Sequence, residues 1–405
     1  MTVTSLDMVD ALAIAAVAIW AAESAAILVG SMSNERRARQ RNQLRVQLRT
    51  AGPVGVEALS RAARQLDLED FQDLALSGLP PDIESVLARG LGDRTGLPQL
   101  RRLAEQDSSR PWARIAALQL LASARDRYAH PLLGRALRSG NARVSAAALR
   151  MLVRLNDAAA ADVLIRTLRR GAYSRSRVAA AIQRLTVAHS PLVAPLLDAE
   201  DADLRGWGVR LAGRLNLRDL APAVRRLVGD GDAVVRRVAV EALGRIGAAD
   251  DRDLLRSRLL DPSPIVRAHA ARALAPYADA AALESLADRL GDRDWIVRAA
   301  ARDALAAHGA NARAALVRIV WSDDRFAAEG AADLLQRAGV AEQVARQLLQ
   351  APTDAAAWKP LLRRIVDVIG APARDVFLGQ FTSEERQTLL AMLSSDEGAP
   401  SPARL

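Results

Sequence analysis

The sequence predicts an all-α protein in which about eight or more helical hairpins stack as an α-solenoid, preceded by one transmembrane helix. Three observations predict this fold: a 31-residue repeat in the middle of the chain, a composition rich in Ala, Leu and Arg, and an apolar stretch near the N-terminus. Of the 405 residues, 50% are apolar, 25% are charged and 3% are aromatic, which is typical of a helical protein rather than a disordered one.

A Val-Arg pair marks the repeat, and it recurs at Val235-Arg236, Val266-Arg267 and Val297-Arg298. Three and seven residues after each arginine the chain has an alanine and a leucine. These offsets fall on one face of a helix, where small alanines allow a neighbouring helix to approach closely. After a short break, a second apolar segment such as 254–260 completes a helix-turn-helix unit. Such a unit cannot bury its own apolar face, so it must stack on its neighbours.

Weaker copies of the pattern extend the array in both directions, giving about eight units. We predict a transmembrane anchor at residues 1–33, a basic juxtamembrane helix or linker at 34–50, capping and degenerate repeat helices at 51–106, the repeat array at 107–350, C-terminal capping helices at 351–393 and a disordered tail at 394–405.

The pattern VRxxAxxALG, clearest from Val235 to Gly244, resembles the short HEAT-like repeats of phycobiliprotein lyases and many bacterial scaffold proteins. The resemblance covers about 250 residues and includes the aspartate that precedes each Val-Arg pair. It implies a solenoid that serves mainly as a binding surface, and it says little about the partner, because function on such a fold is decided by local sites.

Aspartates recur with the same 31-residue period, six residues before the arginines, and Asp323 continues the series. The resulting ladder consists of Asp230, Arg236, Asp261, Arg267, Asp292 and Arg298. We interpret it as structural, with each aspartate capping backbone N–H groups and pairing with an arginine of the same or the adjacent repeat.

The sequence offers little for catalysis. Without cysteine there are no disulfides, thiolate nucleophiles or Cys-ligated zinc sites. The four histidines, His130, His189, His269 and His308, lack the spacing that directs two rings at one metal ion. No nucleotide-binding, nucleophile-elbow or metalloprotease motif occurs. We therefore expect a protein that is not an enzyme and that has no metal or other cofactor.

Four tryptophans lie in or beside the first-helix stripes or the turns, namely Trp112, Trp207, Trp295 and Trp321. We expect them to pack in the core or on a ridge, with peptide anchoring as the alternative.

Arginines also occur on the predicted second helices, which line the concave face in solenoids of this kind. The candidate partner-binding residues are Arg166, Arg169, Arg170, Arg225, Arg226 and Arg256. Acidic residues such as Asp162, Asp198 and Asp253 are interleaved with them, which favours a protein partner over nucleic acid.

Residues 11–30 contain a single charge, Glu23, and are long enough to cross a bilayer as a helix. Asp7 and Asp10 precede this segment, whereas a run of arginines follows it. The positive-inside rule therefore predicts an N-out, C-in orientation with the repeats in the cytoplasm. The arginines expected to face lipid headgroups are Arg36, Arg37, Arg39 and Arg41.

Small residues form a ridge along the predicted transmembrane helix, at Ala18, Ala22, Ala26 and Gly30. Their four-residue spacing allows two membrane helices to pack closely, and Glu23 lies beside the ridge. An ionisable group within the bilayer favours a polar contact on another helix. We expect this ridge and Glu23 to contact a partner helix.

Together these features predict a non-catalytic, single-pass protein of a bacterial inner membrane, whose cytoplasmic repeats act as a scaffold for an integral membrane protein. By analogy, it would be an accessory subunit of an envelope polysaccharide glycosyltransferase complex. A phycobilin-lyase-like enzyme and a membrane-tethered, nucleic-acid-binding solenoid are the alternatives. We expect no small-molecule substrate.

Overall fold

The computed structural model describes Arg39 and residues 96–106, 111–277, 279–351 and 356–394. All regular structure in these ranges is helical, and no strand occurs in them. None of the helices in the described part of the chain has both the length and the hydropathy needed to cross a bilayer. The described helices belong to two compact units, which divide between residues 187 and 188.

The first unit contains six described α-helices. They are α1 (Gly96–Glu105), α2 (Pro111–Ser123), α3 (Ala129–Ala136), α4 (Ala142–Leu155), α5 (Ala158–Arg170) and α6 (Arg175–Ile182). Helix α2 packs on α4 and α3 packs on α5, so helices two apart along the chain lie side by side. This arrangement is typical of stacked helical hairpins.

The second unit contains fourteen described α-helices. They are α7 (Ser190–Leu197), α8 (Ala202–Arg214), α9 (Ala221–Leu227), α10 (Ala233–Ile246), α11 (Arg252–Ser257), α12 (Pro264–Leu274), α13 (Ala280–Asp288), α14 (Trp295–Ala306), α15 (Arg313–Ile319), α16 (Arg325–Arg337), α17 (Val340–Gln350), α18 (Lys359–Val368), α19 (Ala371–Leu378) and α20 (Ser383–Ser394). Short 3-10 turns precede or follow several second helices, at Arg218–Leu220, Ala249–Asp251, Arg258–Leu260, Arg289–Gly291 and Gly309–Ala312. The first helices α8, α10, α12 and α14 form one layer in which each packs on the next.

Side-chain caps define where the first helices begin. Asp232 accepts hydrogen bonds from the N–H groups of Val234 and Val235, and Asp294 accepts one from Ile296. The same role falls to Asn141 before α4 and Asp201 before α8. Helix α12 instead begins with a proline, whose missing N–H costs nothing in the first turn.

The core of the second unit consists of the small and branched residues that the repeat pattern predicts. The alanines three residues after the repeat arginines (Ala239, Ala270 and Ala301) are fully buried. Gly213 and Gly244 bring adjacent first helices closer still, because a Cβ at either position would lie 2.9 Å from the Cβ of Ala242 or Ala273. The all-α solenoid character predicted from the repeat is confirmed.

Several sequence-based predictions lie outside the described residues. These are the transmembrane segment, the ridge of Ala18, Ala22, Ala26 and Gly30 with Glu23, the arginines Arg36, Arg37 and Arg41, and the tail after Ser394. Arg39 is described as helical and exposed.

Candidate functional site

Three arginine–aspartate rungs join consecutive repeats of the second unit. Each rung is bidentate and spans 25 residues: Arg205 to Asp230, Arg236 to Asp261 and Arg267 to Asp292. In the third, Nε and Nη2 of Arg267 donate to the two carboxylate oxygens of Asp292 at 2.8 and 2.7 Å. The carboxylate partner of each arginine therefore belongs to the following repeat.

The residue six positions before each arginine contributes its backbone carbonyl instead; it is Ala199 for Arg205 and an aspartate for Arg236 and Arg267. Nη1 of Arg236 donates to the carbonyl oxygen of Asp230 at 2.9 Å, and Nη1 of Arg267 donates to that of Asp261 at 2.9 Å. Each aspartate side chain also accepts the N–H two residues later, as Asp292 does from Asp294 at 2.9 Å. One guanidinium thus binds the turn of its own repeat and the carboxylate of the next.

These aspartates are buried and remain ionised. Burial alone would raise the pKa of Asp261 and Asp292, but hydrogen bonds from Arg236 and Arg267 hold each pKa below its usual range. For Asp230, the hydrogen bonds from Arg205 are the largest influence on the pKa and lower it despite partial burial. The arginine and aspartate of each rung therefore neutralise each other, and little net charge is left to bind a ligand.

The ladder changes at its C-terminal end. Nη1 of Arg298 donates to the carbonyl oxygen of Asp292 at 2.8 Å, as in the other repeats. Asp323, which continues the series in the sequence, is exposed, and Arg298 forms no ion pair with any described residue. Its guanidinium lies instead over the ring of Phe326, 4.3 Å from the centroid.

Exposed apolar side chains lie beside this ladder, and we call them the apolar edge: Val234, Leu260, Ile265, Trp295 and Phe326. Each is between 49% and 72% exposed. Four of them occupy the first or second position of α10, α12, α14 and α16, and Leu260 immediately precedes Asp261. Because consecutive first helices pack on each other and Arg298 bridges to Phe326, these side chains follow one side of the stack.

The second-helix arginines predicted to bind a partner are exposed or partly exposed, but most already have acidic partners. Arg166 pairs with Asp162, Arg225 with Asp251, Arg226 with Asp198 and Arg256 with Asp253. Arg169 and Arg170 are exposed and form no ion pair with a described residue. The predicted arginines of the second unit therefore present little uncompensated charge, whereas Arg169 and Arg170 of the first unit do present it.

A hollow of about 840 Å³ lies between α15, the start of α16 and Trp358. Trp321 and Trp358 contribute its aromatic lining, and Arg318 lines it while pairing with Glu284 and Asp288. Arg364 fastens the loop that carries Trp321, donating to the carbonyl oxygens of Val320 and Ser322. The hollow is open to solvent, and among the described residues that line it no nucleophile is paired with a base.

Two of the tryptophans, Trp112 and Trp295, lie outside the core. Both are largely exposed, and Trp112 has the guanidinium of Arg143 over its ring.

His130 contacts the Asp157 carboxylate at 2.9 Å. In the described ranges, no group of His, Asp and Glu side chains is arranged to hold a metal ion.

Sequence reasoning missed most of the apolar edge. It listed Trp295, but it did not connect that residue to Phe326, which follows it by 31 residues. The same period relates Val234 to Ile265, so a search for large apolar residues that recur every 31 positions just before the Val-Arg register would have found both pairs. Nothing in the sequence pattern distinguishes Leu260 from the buried leucines around it.

The fold and the ladder define this chain as a helical-repeat protein of the α-solenoid class. The family profile described as HEAT repeats matches residues 97–185, 190–275 and 255–336, which together exceed half of the chain. The protein belongs to the HEAT-repeat family.

Two solved structures are reported as similar. One is an engineered protein, with 20% sequence identity and a TM-score of 0.34, covering 88% of this chain and 99% of its own. The other is human deoxyhypusine hydroxylase in complex with glycerol, with 17% identity and a TM-score of 0.26, covering 61% of this chain and 98% of its own. Values this low support no functional argument. No curated protein matches the sequence.

Proposed function

We propose that the protein is a non-catalytic scaffold that binds a partner protein along the apolar edge. The observation that carries this proposal is the row of solvent-exposed Val234, Leu260, Ile265, Trp295 and Phe326 on consecutive repeats. Contiguous apolar surface on a soluble domain is typical of a protein interface, and aromatic residues supply much of the binding energy in such interfaces.

The spacing of the edge favours an α-helical segment of the partner. Packed helices lie about 8–10 Å apart, and seven residues of an α-helix rise about 10.5 Å. A partner helix that lies along the edge therefore brings its apolar side chains at positions i, i+7 and i+14 onto successive repeats. The ladder is compatible with this arrangement. Its charges are paired within the protein, so they connect the repeats that carry the edge and do not bind the partner helix themselves.

The membrane setting is part of the same proposal and depends on the sequence alone. The apolar segment at 11–30 and the arginines that follow it support a single-pass inner-membrane anchor, with the repeats in the cytoplasm. An integral membrane protein, such as the glycosyltransferase of an envelope polysaccharide complex, is then the partner we propose. A reporter fused after Leu405 should be active only in a cytoplasmic format, and periplasmic activity there would contradict the orientation.

We favour a scaffold over the two alternatives for reasons visible in the described residues. A nucleic-acid-binding solenoid needs a continuous basic groove, whereas Arg166, Arg225 and Arg226 are paired with acids. A lyase-like enzyme needs convergent polar groups in a pocket. The hollow beside Trp321 instead has its Arg318 committed to an ion-paired cluster with Glu284 and Asp288.

The test is site-specific photo-crosslinking in cells with the full chain. A photoreactive residue at Ile265 or Trp295 should form an adduct with one partner protein, and the same residue at Val376 should not. Val376 is a matched control, because it is as exposed as Trp295 and belongs to α19, which carries none of the edge residues.

A substitution completes the test. Trp295→Asp should abolish the Ile265 adduct with less than about 0.5 kcal/mol effect on stability, since the side chain is exposed. Adducts of equal strength at Ile265 and Val376, or an Ile265 adduct that survives Trp295→Asp, would contradict the proposal.

A further inference from the structure

The first helices α8 and α10 enclose a small hollow of about 230 Å³, which we call the arginine hollow. Four arginines line it, two from each helix: Arg210, Arg214, Arg237 and Arg245. The close contact between Gly213 and Ala242 lies in the same hollow, so the two helices approach each other tightly there. Because the helices lie so close, four long cationic side chains line the same small cavity.

Only one carboxylate lines the hollow, and it is already engaged. Glu241 accepts a hydrogen bond from Arg245 at 2.9 Å and a longer one from Arg237 at 3.4 Å. Neither Arg210 nor Arg214 forms an ion pair with a described residue. The hollow therefore carries a formal excess of three positive charges, from four arginines and one glutamate.

The burial of Arg210 makes this excess unusual. Its guanidinium is half-buried against the ring of Trp207, 4.9 Å from the centroid. Burial and the nearby charge of Arg237 lower the pKa of Arg210, and they outweigh the opposite influence of Asp203 and Glu241. A bound anion would stabilise an arginine that is partly removed from water and faces another arginine.

The basic hollow of the first unit provides a contrast. It has a similar volume of about 260 Å³ and also contains several arginines. There, however, Arg135 pairs with Glu105, Arg166 with Asp162, and Arg138 donates to the carbonyl oxygen of Gly134. Of the arginines in that lining, only Arg170 has neither an ion pair nor a hydrogen bond among the described residues, whereas both Arg210 and Arg214 lack an ion pair between α8 and α10.

We propose that the arginine hollow is a binding site for a phosphate-bearing anion. Guanidinium groups present planar pairs of donors that match phosphate oxygens, and four of them converge here. The size of the hollow and its surroundings favour one compact anion over a nucleic acid strand. At the position of Arg210, successive repeats carry Glu241, Arg272 and Asp303, so the positive charge does not continue along the stack.

The test uses inorganic pyrophosphate and the full-length protein, with affinity measured by calorimetry. Arg210→Gln should weaken binding at least about tenfold, because it removes a charge-assisted contact. Arg226→Gln is the matched control, since Arg226 is an exposed arginine of the same unit that pairs with Asp198. It should leave the affinity unchanged.

Glu241→Gln separates binding from folding. It removes the carboxylate that lines the hollow and competes with the anion, so pyrophosphate should bind several-fold more tightly. Mere damage to the fold cannot produce that gain. His269 supplies a spectroscopic signal, because its Nδ1 lies 3.9 Å from Glu241 and its pKa is lowered by burial and by Arg237. Bound pyrophosphate should raise the pKa of His269 measured by NMR.

Two further probes identify the source of the phosphate. Sedimentation with phosphatidylglycerol vesicles that is lost in Arg210→Gln would indicate a lipid headgroup. Binding of pyrophosphate without binding of the vesicles would indicate a soluble ligand. Either outcome supports the site. Pyrophosphate affinity that is unchanged in Arg210→Gln overturns the proposal. So does oligonucleotide binding that exceeds pyrophosphate binding and depends equally on Arg169 and Arg170.

Discussion

The two units satisfy the same turn in different ways. In the second unit, Arg236 donates to the carbonyl oxygen of Asp230, and the Asp230 carboxylate accepts the N–H of Asp232. In the first unit, Ser145 occupies the equivalent position in α4 and donates to the carbonyl oxygen of Ser139 at 3.1 Å. The Ser139 hydroxyl accepts the N–H of Asn141 at 3.3 Å.

The comparison shows what the turn itself requires. The turn needs a donor for one carbonyl oxygen, that of Asp230 in the second unit and of Ser139 in the first. It also needs an acceptor for the N–H two residues later, that of Asp232 or Asn141. Two serines meet both needs without charge. The arginine and aspartate of the second unit add a connection to the next repeat, which the short Ser145 side chain cannot make.

In the first unit, Arg114 of α2 reaches the next repeat over the same 25 residues, but it donates to the Ser139 hydroxyl at 3.3 Å rather than to a carboxylate. Other contacts also connect neighbouring repeats there. Asn156 exchanges two hydrogen bonds with Thr186, each 2.8 Å long, and His130 contacts Asp157. Arg101 pairs with Asp126 across the same 25-residue separation as the rungs. The first unit thus mixes several kinds of contact, whereas the second repeats one.

The largest effect should come from breaking a complete rung. Arg267→Ala leaves the buried Asp292 carboxylate without its cation, and we expect a loss of about 3–5 kcal/mol. Because repeat proteins lose structure locally, hydrogen exchange of α12 and α14 is the appropriate measurement.

The double variant Arg267→Met, Asp292→Leu sharpens this prediction, since replacing both members by apolar residues should cost much less than losing one. A double variant as unstable as Arg267→Ala would show that the ion pair is not what the single substitution removes.

Acid should affect the second unit more than the first, with a smaller effect at each rung than Arg267→Ala. The pKa values of Asp230, Asp261 and Asp292 are lowered in the folded protein, so their contribution is complete above the unfolded pKa of about 3.9. It is lost as the pH falls through the folded values. Hydrogen exchange below about pH 4 should show α10, α12 and α14 opening before α4. Simultaneous opening of α4 would contradict this prediction.

Arg298 is the natural comparison with Arg267, because it has the same position in its repeat but no carboxylate partner in the part of the chain that the structure describes. Arg298→Ala removes hydrogen bonds to two carbonyl oxygens and the contact with Phe326, and we expect a cost of about 1–2 kcal/mol. Chemical denaturation of both variants side by side measures the difference. Equal losses would mean that the aspartate contributes little to the second unit.

The smallest effect is expected from Ser145→Ala in the first unit. The buried hydroxyl donates to the carbonyl oxygens of Ser139 and Asn141, and its loss should cost about 1 kcal/mol. Exchange of the α4 amides is the measurement, with the exposed Arg150 of the same helix replaced by Ala as the control. A loss comparable to that of Arg267→Ala would remove the distinction between charged and neutral turns.

The fold was predictable because its determinants are local and periodic. Within each repeat, the Val-Arg pair lies a few residues from the buried alanine (239, 270 or 301) and from the residue that caps the helix. The rung partners were less accessible. The sequence shows Asp230 six residues before Arg236, but only the stacking of α8 on α10 brings Asp230 to Arg205.

The candidate sites were harder to predict for the same reason. The apolar edge and the arginine hollow are formed by side chains of adjacent repeats. Whether such a side chain can bind a partner depends on its exposure and on its contacts in the folded chain. Leu260 and Leu259 are neighbours in the sequence, yet one is exposed and the other buried. Likewise, Arg210 and Arg205 are both first-helix arginines, and only the folded chain gives one of them a carboxylate partner.

The 25-residue reach of each rung also bears on how a chain of this kind changes length through gene duplication or deletion. Removal of residues 231–261 would leave Arg205 facing Asp230 and would bring Arg267 into the position now held by Arg236. Duplication of the same stretch would add one more identical connection. Because no rung crosses more than one boundary between repeats, the second unit can gain or lose whole 31-residue modules without orphaning a single buried charge within the series.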